Sequence, residues 1–212
     1  MSSSSRCAAP DAGPAALTPA ASARRRLLGG ICRAGVWCGV AGASDIGFAA
    51  PAPPASPPPE VQQHLASARL HGQGRLRVFG VRVYDARLWV GAGFVAARWP
   101  DAALALEIDY ALPFNGPSIA DRSVQEMARQ QVLPAATADR WRADLERLLP
   151  DVAAGDRLTG LHRPGEGLAL FHNGAARGTV PDATLAARFF GIWLARATSA
   201  PALRESLLGP GV

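Results

Sequence analysis

From residue 65 onward the apolar positions run with a period of two, then with a helical period, then with a period of two again, and finally with a helical period. Alternation predicts strands over residues 65–71, 75–84 and 86–90. Leu76 and Val78 alternate with Arg75 and Arg77, after which the apolar phase moves to Phe79, Val81 and Val83. An extra residue near Val78-Phe79-Gly80 would absorb that shift, so a bulge or kink is predicted there. The phase changes again at Tyr84, where Tyr84, Ala86, Leu88 and Val90 face away from Asp85 and Arg87. A further strand is expected over 103–112, with Leu104, Leu106, Ile108 and Tyr110 opposed to Glu107 and Asp109.

Residues 119–132 and 138–149 read as helices, the second capped by Thr137. Trp141, Leu145, Leu148 and Leu149 form its buried stripe, with Arg140-Asp144 and Arg142-Glu146 as i,i+4 pairs on the wet side. Residues 156–163, 167–172 and 175–180 then read as a three-stranded meander. Its second turn is Asn173-Gly174, which supplies the two positive-φ positions of a tight hairpin. Asp182 opens a helix with Leu185, Phe189, Ile192 and Trp193 as its stripe, and residues 202–208 form a last helix ended by Gly209. This order predicts an α+β fold, an antiparallel sheet with helices packed on one face.

The chain before residue 60 shows neither period and is rich in Ala, Pro and Ser. Arg24-Arg25-Arg26-Leu27-Leu28, followed by an apolar run to about Ala43, has the order of a twin-arginine export leader. The expected organisation is a leader over 1–50, cut after Ala43 or Ala49, a Pro/Ala-rich linker over 51–63, and a folded domain over 64–212. Such a leader implies a periplasmic protein. No apolar stretch free of charge is long enough to remain as a membrane span, so none is expected after the leader is removed.

Composition changes its meaning once the leader is set apart. The chain carries a net charge of +5 from 22 basic and 17 acidic residues, and contains no lysine. Arg6, Arg24, Arg25, Arg26 and Arg33 against Asp11 and Asp45 account for most of the excess. The rest is close to balanced with interleaved signs and lacks a basic stripe with aromatics, which argues against nucleic acid as a partner. All three cysteines, Cys7, Cys32 and Cys38, lie in the leader, so the domain has no disulfide, cysteine nucleophile or thiolate metal site. Lysine Schiff-base and phosphate-loop chemistry are excluded with the lysines.

Few motifs remain. Gly72-Gln73-Gly74 lacks the third glycine and the following helix of a dinucleotide loop. His64, His71, His162 and His172 are not at metal-ligand spacing and read as surface histidines; neither a metal nor another cofactor is expected. Glu107 and Asp109 share a strand face, as paired acid/base groups would, but that face is opposite the core and reads as solvated. No Gly-x-Ser-x-Gly elbow is present.

Gly72-x-Gly74, the segment Val81-Arg82-Val83-Tyr84-Asp85-Ala86-Arg87-Leu88-Trp89, the strand from Leu106 to Tyr110, Gly155-Asp156, Asn173-Gly174 with Gly178, Phe190-Gly191-Ile192-Trp193-Leu194 and Leu203-Arg204-x-x-Leu207-Leu208-Gly209 occur in an order that resembles the chalcone isomerase-like family. The resemblance covers residues 65–209. It implies an open-faced sandwich, a curved antiparallel sheet covered by helices, with a ligand cleft between the two. Plant members of that family cyclise chalcones and related non-catalytic members bind fatty acids, and both uses need an arginine for an oxygen anion.

At the position of the family's arginine stands Leu76, flanked by Arg75 and Arg77. Its threonine corresponds to Tyr84, its catalytic tyrosine falls near Ile119 and its asparagine near Glu126. The resemblance therefore implies a non-catalytic domain that binds a small apolar or amphipathic ligand such as a fatty acid, with Arg75, Arg77, Tyr84 and Tyr110 as candidate ligand-binding residues. Two other readings stay open. One is an isomerase or lyase acting through the same four residues; the other is a structural or interaction protein whose cleft is filled and whose Phe94, Trp99 or sheet edge meets a partner.

Overall fold

Phe79 and Gly80 have φ of 49° and 81°, the left-handed pair that closes a two-residue hairpin. In the computed structural model, which describes residues 56–212, they join β1 (Arg69–Val78) to β2 (Val81–Val90). Two strands thus replace the three expected between residues 65 and 90. The apolar phase shift near Phe79 marks a chain reversal, not a bulge. Gly72 and Gly74 do not interrupt β1, which pairs through them with Leu88 and Ala86. True irregularities lie where His71 and Val83 are the extra residues, between the pairs Leu70–Trp89 and Gly72–Leu88 and between Leu76–Tyr84 and Arg77–Arg82. The second phase change, at Tyr84, reflects the extra Val83.

β3 (Leu104–Tyr110), β4 (Arg157–Arg163), β5 (Gly167–His172) and β6 (Ala175–Val180) complete a six-stranded sheet in the order β1-β2-β3-β4-β5-β6. Every neighbour is antiparallel. The Asn173-Gly174 turn has the positive φ values that its sequence predicts, 51° and 85°.

Four helices cover one face. In chain order, after the short α1 (Pro59–His64) on the opposite face, they are α2 (Gly116–Gln130), α3 (Ala135–Leu148), α4 (Ala183–Leu194) and α5 (Pro201–Leu208). Asn115 caps α2 by accepting from the Ser118 amide, and Asp182 caps α4 by accepting from Leu185. α3 begins at Ala135 without a side-chain cap, so Thr137 lies within its first turn. The predicted stripe of Trp141, Leu145, Leu148 and Leu149 is buried. The predicted i,i+4 pairs are not formed. Arg140 reaches Asp182 and Arg142 reaches Asp121, carboxylates that neighbouring elements present within range, and Arg142 also takes Asp139 three residues back on its own helix.

The inner core joins Leu88, Leu106, Leu168 and Leu170 of the sheet to residues such as Val124, Phe190 and Leu207 of the helices. A smaller cluster lies on the other face, where α1 (Pro59–His64) places Val61, with Leu65 just beyond it, against Trp89, Ala105, Leu161 and Phe171. α1 falls at the end of the stretch read as a linker. Its Glu60 is buried, accepting from Thr159 Oγ1 at 2.9 Å and lying 3.0 Å from the Arg157 guanidinium. The leader, its cleavage sites and most of the proline-rich segment lie outside the described residues. Among the described residues no helix is long and apolar enough to cross a membrane.

Candidate functional site

Between the inner face of the sheet and helices α2 and α4 lies a cavity of about 890 Å³. Ligand pockets commonly hold about 300–1,000 Å³, so this space can take a drug-sized or single-chain lipid molecule. Leu106, Ile108, Leu158 and Leu170 form its floor, Phe189 and Ile192 come from α4, and Ile119 comes from α2. The alternation of β3 explains the floor, because every second side chain points inward. The volume is open space that the protein's own side chains do not occupy, which weighs against a filled cleft.

A few polar groups converge on these walls. Tyr84 Oη accepts a hydrogen bond from Trp193 Nε1 at 2.8 Å, and its own proton has no acceptor among the described residues. Tyr110 packs edge-on against Tyr84 with ring centroids 6.0 Å apart, and its hydroxyl is likewise free to serve a ligand. Burial pushes the Tyr84 phenol up to about 12, overriding the hydrogen bond from Trp193, while Glu126 raises it further. Burial also raises Tyr110, with a smaller contribution from Tyr84. Both phenols are therefore neutral donors over the whole physiological range.

Glu126 on α2 also lines the cavity and is almost wholly buried. Arg122 lies 2.6 Å from one of its oxygens and Arg129 3.5 Å from the other. The Arg122 side chain itself is 67% exposed and belongs to the cavity wall, so it is a solvent-accessible cation there. Ser123 Oγ donates to the Ile119 carbonyl one turn back and is not free for a ligand.

Of the four residues expected from the sequence, Arg77, Tyr84 and Tyr110 line the cavity. At the irregularity opposite Val83, both Leu76 and Arg77 reach the wall. Arg77 donates to the Gly80 carbonyl at 3.1 Å. Arg75 does not reach the cavity. It faces the outer side, where its guanidinium makes two hydrogen bonds with Asp85 at 2.6 and 3.0 Å. Arg122 and Trp193 were not picked out as site residues. They sit on helix faces whose proximity to the sheet no local pattern encodes, although Glu126 marks the right turn of α2.

The outer face holds the remaining charges. Glu107 and Asp109 point there, as the alternation of β3 places them, and both receive Arg87. Glu107 is nevertheless buried, not solvated, because it also accepts from Trp89 Nε1 at 2.6 Å. His162 is not a surface histidine. It is buried beside Trp99 and Phe190, with Nε2 2.9 Å from the Pro100 carbonyl, and burial lowers its pKa. Among the described residues no cluster of three or more His, Cys, Asp or Glu side chains could hold a metal ion.

A family model described as chalcone isomerase-like matches residues 55–209. No curated protein matches the chain. Among solved structures, a fatty-acid binding protein of Arabidopsis thaliana superposes with a TM-score of 0.54 at 15% identity, covering 68% of this chain and 88% of that one. At that identity the likeness is one of fold.

Proposed function

The chain belongs to the chalcone isomerase-like family, and from that membership together with its cavity we propose that it binds one small apolar or amphipathic molecule, a fatty acid being the first to test. The observation that carries this reading is a large, mostly apolar space with a few converging polar groups, two of them neutral phenols. Catalysis of the chalcone isomerase kind has little support. Leu76 occupies the arginine position and Ile119 the tyrosine position, so neither the charge nor the phenol of that chemistry is supplied there.

Titration with a fluorescent fatty acid, with mass spectrometry of lipid that purifies with the protein, is expected to give saturable binding at one site. Tyr84→Phe and Tyr110→Phe together are expected to weaken binding about tenfold, the loss of one to two good hydrogen bonds. A fatty-acid carboxylate is ionised throughout pH 7–10, and the phenols, raised above their ordinary value, keep their protons there. Affinity is therefore expected to stay flat across that window. A drop between pH 9 and 10 would show that a phenol titrates normally and is not buried. No co-purifying lipid and no saturable binding would sink the reading, and turnover of a chalcone would favour the isomerase alternative.

Export is also proposed, from the paired arginines ahead of an apolar run. N-terminal sequencing of periplasmic material is expected to start after Ala43 or Ala49; an intact Met1 would overturn it.

A further inference from the structure

The end of the β1–β2 hairpin is built unlike the rest of the surface. Phe79 is fully exposed at 102%, and it is flanked by Val78 at 46% and Val81 at 54%. An aromatic residue in the left-handed region is unusual, because its Cβ crowds the backbone, a cost that glycine lacks and that asparagine offsets with local hydrogen bonds. The hairpin therefore holds a large apolar side chain at its tip, against both solvation and local backbone preference. Arg77 and Arg82 face each other across the strands just behind it, and Arg75 lies further along β1. Arg75 and Arg82 share the single carboxylate of Asp85, and Arg77 is bonded only to the Gly80 carbonyl among the described residues. The hairpin end is thus an apolar wedge with positive charge behind it.

Arg77, Val78 and Val81 belong to the cavity wall as well as to the hairpin end. Val78 and Val81 are thus apolar at both the exposed tip and the cavity wall.

We propose that the Val78-Phe79-Gly80-Val81 tip docks into the surface of an anionic lipid bilayer, with Phe79 in the headgroup and acyl boundary and Arg77 and Arg82 on lipid phosphates. An apolar wedge and the cations behind it match the two layers of such a surface, acyl chains beneath and negative headgroups above. A protein groove could also receive Phe79, but a set of long arginine side chains fits an interface whose charges are diffuse. Docking here turns the cavity entrance toward the bilayer, so that a lipophilic molecule could pass without crossing water. The docking itself does not depend on what the cavity holds.

The test uses the full chain with Cys7, Cys32 and Cys38 changed to Ser, so that one introduced thiol carries a nitrobenzoxadiazole fluorophore. In Phe79→Cys the apolar label takes the place of the phenyl ring; in Val132→Cys, where the residue is 87% exposed on another part of the molecule, it serves as the reference. Vesicles of phosphatidylcholine with phosphatidylglycerol are expected to blue-shift the label at residue 79 and to leave the label at residue 132 unchanged. Salt at high concentration is expected to reverse the shift by screening the arginines. Because the label reports its own surroundings, binding through the N-terminal segment does not imitate the result. In flotation with the unlabelled chain, Phe79→Ser is expected to weaken partitioning about tenfold and Arg77→Glu by a similar factor. Both residues are exposed, so the thermal melts should match the parent's. An unshifted label at residue 79 on anionic vesicles, or an equal shift at both positions, overturns the proposal; an unshifted label would leave a protein groove as the occupant.

Discussion

Gly72→Val is expected to destabilise the protein by about 3 kcal/mol or more, lowering the melting temperature by roughly 10 °C. A Cβ at Gly72 would fall inside van der Waals contact with the backbone carbonyl oxygens of Ser206 and Leu207, and backbone cannot rotate away as a side chain can. Two residues on, a Cβ at Gly74 would come within 2.6 Å of Leu203 Cδ1 and 2.8 Å of Ser206 Cβ. The two glycines thus form the seat on which α5 lies directly against β1, and Leu203 and Leu207 pack into the core through that close approach. Gly72→Val must push α5 off the sheet or distort β1. Gln73→Val, on the exposed residue between them, is expected to change stability by no more than about 0.5 kcal/mol. Thermal melts of the two variants decide the matter. Equal melts would mean that α5 is not seated on the glycines.

The double variant Leu76→Trp/Ile192→Trp is expected to weaken ligand binding at least about 30-fold while leaving the melting temperature unchanged or higher. Leu76 on β1 and Ile192 on α4 both line the cavity and are only partly buried, so each new indole can fill the space while its N–H stays near solvent. Filling apolar space that was empty adds dispersion contacts without opening new surface, whereas a ligand loses its volume. Stability and affinity are thus expected to move in opposite directions, an outcome that general damage to the fold cannot produce. Retained affinity in a stable double variant would place the ligand outside this cavity.

The cavity wall offers two guanidiniums to a bound carboxylate. Arg75 is held by Asp85 on the outer face, whereas Arg77 and Arg122 stand at the cavity wall. Their side chains approach from different elements, one from the hairpin and one from a helix. A carboxylate held by either would lie at the cavity wall with its chain inward.

Local patterns in the sequence determined much of this protein. Alternation along Leu106, Ile108 and Tyr110 decided which side chains of β3 line the cavity, and the stripe of Trp141, Leu145 and Leu148 decided how α3 packs, because periods of two and of 3.6 are properties of the backbone alone. Asn173-Gly174 specified its turn because positive φ is a local preference. Phe79-Gly80 escaped the same reasoning, since an aromatic residue does not ordinarily occupy that first position. What only the tertiary structure decided is everything that depends on distant segments meeting. The burial of Glu107 required Trp89, the pairing of Glu60 required Arg157, and the free space between sheet and helices required α2 and α4 to bring Ile119, Glu126, Ile192 and Trp193 to its walls. The physical reason is that a period fixes the direction of a side chain relative to its own backbone, whereas its partner, its exposure and any empty volume beside it are set by the packing of other elements.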